Sequence, residues 1–205
     1  MGEALQVRAI GPETLNDLRQ LLVTPPHGWC WCVAWEVPTW EGWEARTEEE
    51  NRDLRERLWA QGQYDGYLLY RQEEPLAWCR VGPRSRWPKL CRSFGLDPTE
   101  DVYAFTCFGI RQEAMGQGLM HTFLRLVLAD LRRRGVRAVE AFPRKLEGQV
   151  EPGELWMGPA SLFDRAGFVT VRETDRWRHV GLELAPAALT PPAGAAGPPE
   201  VSPPG

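Results

Sequence analysis

Thr106-Cys107-Phe108-Gly109-Ile110-Arg111-Gln112-Glu113-Ala114-Met115-Gly116-Gln117-Gly118 closes an apolar run that begins at Val102, and a strong helical pattern follows it. Leu119, Met120, Phe123, Leu124, Val127, Leu128 and Leu131 recur at i, i+3, i+4 and i+7, which makes one apolar stripe facing a core. Arg132, Arg133 and Arg134 fall in the last turn, where cations suit the negative end of the helix dipole, and Gly135 is the expected stop. Val136 to Phe142 is then a short β-type run. The stretch reads as strand, glycine turn, helix, strand, with backbone N–H groups directed outward at a helix N-terminus. Such a place suits phosphate or pyrophosphate.

Two glycines alone are weak evidence. A dinucleotide-binding turn wants a third glycine and an acid at the end of the next strand, and the Lys-Ser/Thr pair of a P-loop is missing. The signal gains weight from Ser161-Leu162-Phe163-Asp164-Arg165-Ala166-Gly167-Phe168 downstream. With both segments, the chain resembles the GNAT superfamily of acyl-CoA-dependent N-acyltransferases over about residues 3 to 184. In that family the fourth strand enters an R/Q-x-x-G-x-G/A turn, and a later helix ends in Gly-Phe before the sixth strand. Cys30-Trp31-Cys32, Ala77 to Arg84, Phe105 to Phe108 and Gly158 to Ser161 look like one bacterial branch of it.

The resemblance implies an α/β fold with a twisted mixed sheet of about seven strands and helices on both faces. It implies acetyl-CoA as acyl donor. The pantetheine would lie against Phe108, Gly109 and Ile110, on an edge left free where the fourth strand splays from the fifth. The pyrophosphate would sit on the N–H groups of Ala114, Met115, Gly116, Gln117, Gly118 and Leu119. Glu113 and Met115 stand where the family favours Arg or Gln, so binding would lean on backbone N–H groups and the helix dipole, with Arg111 either a partial substitute or a solvated surface residue. Phe163 occupies the place of a Tyr that often serves as the acid and is expected beside the cofactor, and Trp156 occupies the place of a frequent Asn.

Acyl transfer to an amine needs a base, and an acid helps the thiolate leave. Ser161 is a candidate acid, although a Ser near a helix start commonly caps it. Glu140, a carboxylate inside the apolar Val139 to Phe142 run, is the candidate base, with the exposed end of a strand as the alternative. Cys107 reads as packing and His121 as a surface or cofactor-adjacent residue. In this fold the segment between the first two helices covers the acceptor. Trp29, Cys30, Trp31 and Cys32 are therefore expected to bind substrate, and the dense tryptophans from Trp29 to Trp43 read either as a cage for a cationic amine or as staples for an irregular loop.

From the start of the chain, Leu5 to Ile10 is a strand, Pro12 opens a first helix, and Thr47 with Glu50 is a capping box for a second helix to about Gln61. Asn51, Arg52, Arg55 and Glu56 read as the wet side of that helix. Tyr64 to Tyr70 and Leu76 to Val81 form a hairpin, and Gly82 to Thr99 is a long connection. Trp177 to Leu184 is the last strand. Residues 1–185 form one domain, and the Pro/Ala/Gly-rich 186–205 is expected to be a disordered tail.

Among 205 residues the net charge is −4, which argues against a nucleic-acid partner. No run approaches the roughly 18 apolar residues of a membrane span. The start does not look like a signal peptide, and a cytoplasmic monomer or homodimer is expected. Five cysteines read as free thiols, and Cys30-x-Cys32 beside His27 lacks a second pair for zinc. The leading expectation is acyl transfer to a small-molecule amine. The alternative is a CoA-binding regulatory module without transfer activity.

Overall fold

The computed structural model describes residues 4–24, 28–146 and 152–184. His27 and the 186–205 tail lie outside them. The elements are β1 (Leu5–Ala9), α1 (Leu15–Leu22), α2 (Glu48–Ala60), β2 (Tyr67–Arg71), β3 (Glu74–Pro83), α3 (Pro88–Phe94), β4 (Val102–Ile110), α4 (Leu119–Arg133), β5 (Ala138–Ala141), α5 (Ala160–Arg165), β6 (Val169–Glu173) and β7 (Arg178–Glu183). Seven strands form one open sheet in the order β1-β2-β3-β4-β5-β7-β6. Only β4 and β5 run parallel, joined by the α4 crossover; the other neighbours are antiparallel.

The mixed sheet agrees with the expected fold class, and the physical reason is visible in the helices. The stripe of α4 buries Leu119, Phe123, Leu124, Val127, Leu128 and Leu131 against Phe105, Phe108, Val139 and Ala141. The other face is covered by α1, α2 and α3 through two smaller clusters centred on Trp78 and Trp87. The Thr47 capping box forms as expected: Glu50 N–H donates to Thr47 Oγ1 at 3.1 Å, and Thr47 N–H to Glu50 Oε2 at 2.7 Å.

Two expectations need correction. The connection from Gly82 to Thr99 contains α3, which starts at Pro88 and stops at Gly95 in a left-handed conformation (φ 60°). Both are ordinary helix punctuation, but seven residues give too short a periodic pattern to stand out. The wet side of α2 is the second. Asn51 and Arg55 are buried, and only Arg52 and Glu56 remain accessible on that list. Asn51, Arg55 and Trp59 share one face at i, i+4 spacing. That face must satisfy carbonyls of the irregular loop beside it, where Trp31 and Cys32 have φ of 44° and 54°. Asn51 Nδ2 donates to Trp29 O at 3.0 Å, and Arg55 donates to Trp31 O at 3.1 Å and Cys32 O at 2.5 Å. These donors satisfy carbonyls that would otherwise be buried unpaired, and Glu36 at 3.6 Å meets the charge of Arg55.

Candidate functional site

The β4–β5 ladder ends at the Phe105–Ala141 pair, yet β4 continues to Ile110. Its outer edge therefore lacks a strand partner from Thr106 onward. Beyond Ile110 the chain makes a short turn over Gln112–Ala114 and enters α4 through Gly116 and Gly118, at φ of 73° and 69°. No heavy atom lies within 4 Å of where a Cβ on either glycine would stand, so dihedral angle and open approach, not crowding, favour glycine there. The first turn of α4 carries no acidic residue, and the helix has 15 residues to build a dipole.

These features open into one cleft of about 370 Å³, lined by Phe108, Gly109, Ile110, Ala114, Met115, Gly116, Gly118 and Leu119. All but two residues of the expected donor-binding set thus come together. Gln117 points away, donating to Glu113 O at 2.9 Å and accepting from Arg71 at 2.9 Å. Phe163 is fully buried behind the cleft, against Phe105, Phe108 and Phe168. Its ring replaces a phenol with core packing. Leu155, Pro159 and Leu162 form the facing wall.

The edge is not fully free. Phe108 N–H donates to Trp156 O at 2.7 Å, so the segment before α5 occupies part of the gap between β4 and β5. Arg111 does not supply charge to the glycine turn; it pairs with Glu74 at 3.0 Å on a neighbouring groove. Basic side chains stand instead on the other side. His121 lines the cleft, its Nε2 stands 3.1 Å from Arg165, and both join Arg125 and Arg132 around an adjoining depression.

The two candidate catalytic residues lie elsewhere. Ser161 is exposed, the second residue of α5, and does not line the cleft; the helix cap position belongs to Pro159. Glu140 stands opposite Ala104, four residues before Phe108 on β4. It is buried, with Oε2 at 3.0 Å from Arg84 and 2.9 Å from His179, and faces a different groove. Of the two alternatives the sequence left for Glu140, a buried carboxylate and the exposed end of a strand, the structure has the buried one.

The substrate-side residues divide as well. Trp29 is exposed and packs edge-on against Trp43, whereas Trp31 and Cys32 are buried in the core beneath α1 and α2. Cys32 Sγ lies 3.1 Å from Cys107 Sγ and accepts from Trp78 Nε1 at 3.1 Å. The Cys107 and Cys30 thiols hold Cys32 well below the usual thiol range, while Cys30 and Cys107 are pushed up in return. Next to them Glu36 accepts from Arg80 at 2.7 Å and Trp87 at 3.3 Å, with Arg55 at 3.6 Å. Burial raises the Glu36 carboxyl, but Arg80 and Arg55 outweigh it and hold it below the usual range. Burial and the nearby Arg80 bring Arg55 down to about 10. Neither Glu36 nor Arg80 was singled out by sequence; a lone acid within a tryptophan loop was the available signal.

The remaining tryptophans surround a side chain of the chain itself. Lys89 Nζ lies 3.5 Å from the Trp40 ring centroid and 5.7 Å from those of Trp35 and Trp43. Among the described residues no group of three or more His, Cys, Asp or Glu is arranged to hold a metal. Nor is any described helix long and apolar enough to cross a membrane.

No protein-family model matches the chain, and no curated protein matches it in sequence. Solved structures do. A Desulfovibrio desulfuricans protein assigned to the GNAT family of acetyltransferases is 17% identical, with a TM-score of 0.53 over 89% of this chain and 100% of that one. The PaiA N-acetyltransferase of Thermoplasma acidophilum, in complex with coenzyme A, is 12% identical, with a TM-score of 0.52 over 88% and 99%. The ribosomal-protein-S18-alanine N-acetyltransferase of Escherichia coli is 12% identical, with a TM-score of 0.50 over 91% and 98%. At these identities the likeness is one of fold.

Proposed function

For a chain with the GNAT fold, we propose that the cleft between β4 and α4 binds acetyl-CoA, and that the protein transfers the acetyl group to an amine of a small molecule. One observation carries this reading. The uncovered end of β4 and the two left-handed glycines at the start of α4 line a single cleft, so an edge able to pair with amides leads directly to backbone donors for pyrophosphate. Arg165, which reaches His121 from the adjoining depression, is the cation nearest the cleft that could offset Glu113 and Met115 in the turn.

In the transfer, a neutral amine attacks the thioester carbonyl. The C–N bond forms, the C–S bond breaks, and the sulfur leaves as thiolate while the amine proton passes to solvent. Phe163 has no proton to give and Ser161 lies outside the cleft, so no side chain is assigned as the acid. Glu140 reaches the amine only by leaving Arg84 and His179, which favours a structural role.

Mixing the protein with acetyl-CoA and a panel of amines, including a peptide with a free N-terminus, tests the reading through release of free thiol. Thiol release with a small amine is the expected result. A thermal shift with acetyl-CoA but no release with any amine would favour the alternative, a CoA-binding module. The Phe108–Trp156 hydrogen bond across the donor edge is the observation on its side. No shift and no release would overturn both.

A further inference from the structure

Lys89 projects from α3 into the loop that follows α1, and its residue is 4% exposed. Three indole rings face its ammonium, at 3.5, 5.7 and 5.7 Å. Among the described residues no carboxylate lies within 4.0 Å of Nζ; the polar contact is the Thr39 carbonyl at 3.4 Å. The other buried cations of this face are treated differently, since Arg80 and Arg55 both have Glu36. A buried ammonium without a counter-ion is costly, and a methionine of similar length would fill the same space without that cost. Stapling the loop therefore does not account for a charge at this position, whereas aromatic faces directed at a cation do.

We infer that Trp35, Trp40 and Trp43 form an ammonium-binding site that the chain closes on its own Lys89, and that the cationic group of an acceptor enters it by displacing that side chain. The rim is open to solvent: Trp40 is 44% exposed, and Gly42 beside it is left-handed at φ 71°. The floor leads toward the donor cleft. Trp35 lies 5.9 Å from Trp156, the residue whose carbonyl occupies the Phe108 N–H, and Trp35 Nε1 donates to Met157 Sδ at 3.3 Å. Displacement of Lys89 thus acts on the same segment that covers the β4 edge. An acceptor fitting this arrangement carries an alkylammonium separate from the amine that reacts, because the reacting nitrogen must be uncharged. Burial brings Lys89 down to about 8, helped by Arg92 and opposed by Glu36.

The role of the cage as an acceptor subsite rests on the transfer reading, but its occupancy does not, so it is tested without acyl donor. Tetramethylammonium chloride is titrated into the full chain and into Lys89→Ala, with sodium chloride matching ionic strength and tert-butanol as a neutral probe of similar shape. Tryptophan emission and thermal midpoint are read. Lys89→Ala is expected to bind the cation at least tenfold more tightly than the parent protein, with little response to tert-butanol. Equal responses to both probes, or equal responses of variant and parent, would overturn the inference. If Lys89→Ala fails to fold alone, refolding by tetramethylammonium and not by tert-butanol supports it. In either case, light acetic anhydride labelling of the parent protein decides. Lys89 modification should rise several-fold in tetramethylammonium over sodium chloride, and an unchanged level counts against displacement. Failure here with thiol release intact removes the cage and leaves the transfer reading standing.

Discussion

The backbone N–H of Phe108 donates to the carbonyl of Trp156 at 2.7 Å, across the gap where β4 has parted from β5. This contact places a peptide carbonyl where the donor edge would otherwise be open. Gly158, two residues later, turns the segment at φ 83°, and a Cβ there would stand 2.9 Å from the Phe163 ring.

If acetyl-CoA enters along β4, this segment moves. Hydrogen exchange of peptides spanning 152–160 and 104–110 is expected to change together when acetyl-CoA is added, because one hydrogen bond links them. Binding that leaves both unchanged would mean the donor takes another path.

The glycine turn responds to backbone angle. Gly118→Ala should cost about 1–2 kcal/mol for a left-handed alanine, with Gly118→Asn milder because Asn tolerates that region. Both should weaken the thermal shift given by acetyl-CoA. An unchanged shift in the alanine variant removes the turn from the binding site.

Gly109 is constrained for a different reason. A Cβ there would lie 2.1 Å from the Trp78 ring. Gly109→Ala should destabilise by about 1–3 kcal/mol through overpacking, and Trp78→Leu in the same chain should recover part of it. Urea denaturation of the single and double variants checks the coupling, and strict additivity would refute it.

Glu140 is tied to Arg84 and His179, away from the cleft. Removing it leaves the buried His179 and the half-buried Arg84 without their carboxylate partner, so Glu140→Ala should cost about 1–3 kcal/mol. The acetyl-CoA shift should persist. A stable variant that has lost only turnover would restore Glu140 as the base.

Lys89 gives stability a signed pH dependence. Its folded value of about 8 lies below the unfolded 10.5, so between them the unfolded chain binds more protons and stability rises with pH. The urea midpoint of the parent protein, measured relative to Lys89→Met, should climb from pH 7.5 to pH 10. A flat or falling difference would show that the ammonium is not held in a costly place.

Much of this protein was determined by local pattern. The stripe of α4, the Thr47 capping box, the apolar runs of β2 to β4 and the glycines at 116 and 118 each state their own conformation within a few residues, because helix periods, short apolar runs and left-handed turns are short-range properties. The donor cleft was legible for the same reason: strand end, turn and helix start are consecutive in the chain. Tertiary structure alone decided which polar side chains face inward. Nothing near Arg55 in sequence says that it satisfies the carbonyls of Trp31 and Cys32, and nothing near Lys89 says that three tryptophans some fifty residues earlier close around it. Likewise, Glu140 looked like a base until Arg84 and His179, brought from β3's end and β7, occupied its carboxylate. Burial of charge is settled by partners distant in sequence, and only the fold brings those partners within hydrogen-bond reach.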